Sequence, residues 1–187
     1  MRTLRAPVRR VAVRPGVIQR NGEHVVGEHD AGLSVTDHDQ HSSAQNRLVG
    51  SYHAGVYDAP RGPAAAMFAA DQASRGLGME LLHVGPGAAV VQMRVALQML
   101  NGHSICHGGF VFMLADTAFA CACNSDGPVT LAAGADISFV SAAREGDVLV
   151  ATAQERTRFG RSGIYDVTVR HGDEVVAEFR GRSRMVG

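Results

Sequence analysis

The stretch Asn101–Ser125, NGHSICHGGFVFMLADTAFACACNS, limits what this chain can fold into more than any other part of it. From Phe110 to Cys123 the only clearly polar side chains are Asp116 and Thr117. Asp116 has Phe112 and Ala120 four residues away and Met113 and Phe119 three away, so a helix here offers its carboxylate no polar face. A helix that is apolar all round is usually buried. An unpaired buried carboxylate costs several kcal/mol or titrates to neutrality. Asp116 therefore needs a partner, such as an arginine from a later strand or a capping role, or it needs a chemical task.

The flanking sequence says what could bury such a helix. PAAAMFAADQASRGLG, from Pro63, reads as a helix with proline in its first turn and Gly76 and Gly78 as its stop. MELLHV and AAVVQMRVAL, punctuated by Gly85-Pro86-Gly87, read as a hairpin. After the central helix, VTLAAGADISFV, DVLVATAQERTRF, SGIYDVTVRH and EVVAEFRGRSRMV are four strand-length runs, the last two joined by a short HGD turn. This segregation predicts an α+β fold with an antiparallel sheet of about six strands around one long helix. One sheet covers one side of a helix, and a second copy of the chain is the natural cover for the other.

Residues 1–60 show no sustained period and few aromatics, and are read as a disordered N-terminal extension ahead of a folded domain at 61–187. His24, His29, His38, His41 and His53 fall in the extension, and their irregular spacing reads as a solvated tail rather than a metal site. A hydrophobic content of 45% and a formal net charge of zero describe a globular protein and argue against nucleic acid as a partner. The apolar run of about 14 residues is too short to span a bilayer. Cys106, Cys121 and Cys123 are an odd set without disulfide-like or zinc-like spacing, which favours free thiols and a cytoplasmic setting.

The chemistry concentrates where the helix begins. Gly108 and Gly109 follow His107, and the first N–H groups of a helix carry unpaired donors and the positive end of its dipole. They suit a polarised carbonyl or an oxyanion. Asp116 stands eight residues on, about 12 Å along the axis at 1.5 Å per residue, so one helix cannot bring both groups to one carbonyl. Two helices packed antiparallel across a two-fold axis can. The expectation is a composite site at a dimer interface, with Gly108 from one subunit polarising an acyl carbonyl and Asp116 from the other attacking it or activating water.

Other readings are weaker. Adjacent ligands at Cys106 and His107, with His103, do not suit one tetrahedral ion, so no metal is expected. Cys106 beside His107 is poorly oriented for nucleophilic catalysis. His107 equally suits a capping role before the helix. The GRSG at Gly160–Gly163 lacks the spacing and context of a serine-hydrolase elbow. Arg158 and Arg161, at a turn between strands, are candidates for binding phosphate groups or are simply solvated charges. Arg180, Arg182 and Arg184 alternate and so share one face of the last strand.

LNGHSICHGGFVFMLADTAFACACNS, with GRSGIYDV and FRGRS, resembles the phenylacetic-acid-degradation branch of the hotdog-fold acyl-CoA thioesterases, over about residues 64–187. The resemblance implies a hotdog fold, subunits that dimerise and pair into tetramers, and hydrolysis of phenylacetyl-CoA or ring-hydroxylated relatives. It implies no cofactor, since the coenzyme A thioester is the substrate. Residue by residue, it places Asp116 on the catalytic acid, Gly108 on the oxyanion N–H, and Asn101 and His107 on the loop that holds the thioester. A hotdog dehydratase or hydratase and a non-catalytic acyl-CoA-binding module are the alternatives.

Overall fold

A computed structural model describes residues 59–187. The readings for the extension and its histidines lie outside them, apart from Ala59 and Pro60. Two short helices, α1 (Pro63–Ala70) and α2 (Gln72–Gly76), precede the hairpin β1 (Glu80–Gly85) and β2 (Ala88–Arg94). A 3-10 turn at Leu97–Met99 leads to the central helix α3 (Gly108–Cys123), and β3 (Thr130–Phe139), β4 (Val148–Phe159), β5 (Ser162–His171) and β6 (Glu174–Met185) follow.

The first helix was expected to run unbroken from Pro63 to Gly76. Asp71 ends it instead. Its backbone is extended, and its side chain accepts from the N–H groups of Ala73 and Ser74, capping α2. The same carboxylate accepts the Ser74 hydroxyl at 2.5 Å, and the buried Ser74 oxygen lies 3.1 Å from Thr117 Oγ1 of α3. One capping residue thus ties the N-terminal helices to the central one.

The strands form one six-stranded sheet in the order β1-β2-β4-β5-β6-β3, every neighbour antiparallel. Alternation explains which face is which. Gly163, Tyr165, Val167 and Val169 of β5 and Phe179, Gly181 and Ser183 of β6 are buried under α3. Arg180, Arg182 and Arg184 take the opposite, exposed face as expected, and Arg180 and Arg182 pair there with Asp166 and Asp136. The helix packs chiefly on β2, β4 and β5. At its C-terminal end the buried Asn124 donates to Thr130 O and accepts from Thr130 N–H, fastening it to the start of β3.

Contact between helix and sheet is close enough to require glycine at one point. A Cβ on Gly181 would stand 2.8 Å from three ring atoms of Phe119, a fully buried side chain packed against Tyr165 and Phe179. Gly181→Ala should therefore lower stability by about 1–3 kcal/mol through overpacking. Gly76→Ala, where nothing lies within 4 Å of the added atom, should stay within about 0.5 kcal/mol. Denaturant midpoints of the two variants measure the difference.

Candidate active site

The loop before α3 is built around Asn101. Its Oδ1 accepts from His103 N–H at 2.8 Å and Ile105 N–H at 3.5 Å, while its own N–H donates to Ile105 O at 2.8 Å. Ser104 closes this turn in the left-handed region at φ 58°, a strained backbone of the kind that persists where surrounding contacts enforce it. Cys106 N–H then donates to Ala143 O and His107 N–H to Met99 O, each at 2.8 Å. The helix start is fixed from both sides.

His107 is the N-cap of α3. Its Nδ1 accepts from Gly109 N–H at 3.0 Å, and its carbonyl accepts from Phe110 N–H. This accounts for two of the donors a helix start leaves over. The Gly108 N–H has no acceptor among the described residues. Gly108 and Asn101 line the same cleft of about 380 Å³, walled by Ile105, Val111, Phe139 and Val176.

Asp116 is not in that cleft. It lies on a stripe, with Gly109, Phe112, Met113 and Ala120, that the sheet leaves partly open, whereas Leu114, Ala115, Ala118 and Phe119 are fully buried. Within one chain the sheet thus covers one side of the helix, as expected, and leaves the other partly open. No hydrogen bond or ion pair reaches Asp116 among the described residues, so the reading as a core carboxylate paired with arginine fails. Desolvation by its apolar neighbours pushes its pKa up from the ordinary carboxylate value.

The structure brings Asn101, His107 and Gly108 together and sets Asp116 apart on the same helix. Arg158 and Arg161 are elsewhere. Arg158 pairs with Glu155 and, at 3.1 Å, with Asp126 just beyond the helix C-terminus. Arg161 donates to the carbonyls of Met185 and Gly187. Cys106, Cys121 and Cys123 are free and buried. Phe139, beside Gly108, was not singled out from sequence; the only local signal is a large apolar residue ending a strand.

A long helix wrapped by one six-stranded antiparallel sheet is the hotdog arrangement, and comparison bears the fold out. A family model described as Thioesterase superfamily matches residues 103–178. The chain is 46% identical, over 123 residues, to the acyl-coenzyme A thioesterase PaaI of Escherichia coli (strain K12), covering 65% of this chain and 88% of that protein. The solved structure of the E. coli PaaI protein from the phenylacetic acid degradation operon matches with a TM-score of 0.65 at 44% identity, covering 67% and 91% of the two chains. A mutant structure of the phenylacetic acid degradation protein PaaI from Thermus thermophilus matches at 34% identity and a TM-score of 0.60, covering 62% of this chain and all (100%) of that one. This chain belongs to the thioesterase superfamily, as a hotdog-fold acyl-CoA thioesterase.

Proposed function

We propose that this chain hydrolyses an aryl-acetyl-CoA, phenylacetyl-CoA or a ring-hydroxylated relative, to the free acid and coenzyme A in phenylacetate degradation. The observation that carries the site assignment is the separation of two groups unpartnered among the described residues, the Gly108 N–H and the Asp116 carboxylate, about 12 Å apart on one helix. A homodimer with antiparallel α3 helices brings the Gly108 of one subunit to the Asp116 of its partner. Two features support that dimer. The stripe around Asp116 is half-open, and β3 is an edge strand, with Leu131 exposed on it; such edges pair readily with another chain. Pairing of dimers into tetramers follows from the resemblance and is read by light scattering.

In this mechanism the thioester carbonyl oxygen accepts from Gly108 N–H, and Asp116 acts on the carbonyl carbon through a water molecule or directly. Either route builds negative charge on the same oxygen, where the helix start stabilises it. Collapse breaks the carbon–sulfur bond and expels the coenzyme A thiolate. On the water route the thiolate takes up the proton that Asp116 drew from the water. On the direct route the acyl group passes to Asp116 as an anhydride that water then hydrolyses to the free acid, supplying the proton. Asn101 and His107 shape the loop: the first spends its side-chain oxygen on the turn, and the second holds the helix cap. No cofactor enters this scheme. Among the described residues no helix is long and apolar enough to cross a membrane, and free thiols with a coenzyme A substrate fit a cytoplasmic setting.

The support for the aryl-acetyl group is the name and operon of the E. coli relative. A thiol-release screen over a panel of acyl-CoAs tests it, with phenylacetyl-CoA expected at the top. Enoyl absorbance appearing with a 3-hydroxyacyl-CoA would favour a hydratase, and binding without thiol release a non-catalytic module.

A further inference from the structure

Phe139 ends β3 on its inward side, two residues after Ile137 and four after Ala135, both of which pack on the core. Its ring does not follow them. It stays 56% exposed and rests on the first residue of α3. A Cβ on Gly108 would come within 2.8 Å of its Cζ and within 3.3 Å of both Cε atoms. A glycine is needed there so that the ring can close over the helix start.

The side chains that line the cleft this ring helps to wall are mostly apolar, Asn101 and Ser141 apart. Ser141 Oγ is spent on Val175 O at 2.8 Å, and Asn101 Oδ1 on its own loop. Ile105, Val111, Val140 and Val176 supply apolar surface. An occupant with several amide groups, such as the pantetheine arm, would find few side-chain partners for them along these apolar walls. An aryl or alkyl group needs none.

We propose that Phe139 determines specificity: its ring closes the acyl cleft beside the Gly108 N–H and sets how bulky an acyl group the enzyme accepts. The inference rests on the reading of Gly108 as the docking point of the thioester carbonyl. Phe139→Ala removes the wall and Phe139→Trp thickens it, and neither substitution touches the core, since the side chain is exposed at a strand end.

The test compares kcat/KM for naphthylacetyl-CoA with that for phenylacetyl-CoA in the three proteins. The alanine variant should raise this ratio about tenfold and the tryptophan variant should lower it by a similar factor, the scale on which apolar pockets discriminate size. A ratio that stays constant in both variants, or moves the same way in both, overturns the proposal, because a merely structural residue scales both substrates together. The Gly108 reading fails separately. If wild-type protein releases thiol and loses that activity on Gly108→Pro while the ratio ignores residue 139, only the Phe139 claim falls. If wild-type protein releases thiol from no acyl-CoA, both fall.

Discussion

Asp116→Asn is expected to lower kcat for thioester hydrolysis by about 10² or more in a protein that is at least as stable as wild type. The two halves of this result have one cause. Asp116 has no partner among the described residues, and its apolar surroundings disfavour the charged form. A carboxyl group whose pKa is raised on folding contributes most to stability at pH values below its unfolded pKa, and that contribution is lost as pH rises through the folded value. At pH values above its unfolded pKa this group is therefore a burden on the fold, and the neutral amide removes it. Catalysis needs the ionised form. In wild-type protein kcat should rise with pH through the elevated Asp116 pKa, and this limb should vanish from the residual activity of the Asn variant. Turnover near normal in a folded Asn variant would remove Asp116 from the mechanism. Thiol release and a thermal melt, both followed across pH, give the two readings.

Gly108→Pro is expected to lower kcat by about 10²–10³, the scale for one lost oxyanion donor, with the helix intact. Proline is favoured at the first position of a helix because that N–H has no partner within it. The residue before it must be extended, and His107 already is, at φ −64° and ψ 132°. The added ring meets the far end of Phe139, an exposed side chain that can swing aside. What the substitution removes is one donor. Gly108→Ala meets the same ring but keeps the N–H, so its loss should stay within about tenfold. Equal losses for the two variants would mean that crowding, rather than the donor, matters at this position. Steady-state kinetics with helix content checked by circular dichroism separates them.

Much of this was legible because the sequence repeats its instructions. The last strand alternates small or apolar residues with charged ones, and the pleat places Phe179 and Gly181 inside and Arg180 and Arg182 outside. The central helix announced itself by its apolar run and the glycines at its start. What escaped the sequence depends on side chains meeting across long separations. Asp71 breaks the first helix because its carboxylate caps the second one, a choice that propensity did not reveal among so many alanines. Arg158 looked free until the fold placed Asp126 and Glu155 beside it. Phe139 and Gly108 stand far apart in the chain, and only the closure of β3 along the helix brings them together. The apolar period of α3 specified burial but not by what, and the structure assigns one side to the chain's own sheet.

The open side of that helix leads to the central claim, that each active site takes Gly108 from one subunit and Asp116 from another. Co-expressing the Asp116→Asn and Gly108→Pro chains with different tags, and purifying hybrids through both, tests it most directly. In a hybrid dimer one site receives both intact groups and the other neither, so purified hybrids should recover about half of wild-type kcat per dimer, while each parent stays at its residual level. Hybrids of proven mixed composition that are no more active than their parents would place both groups on one chain and contradict the account.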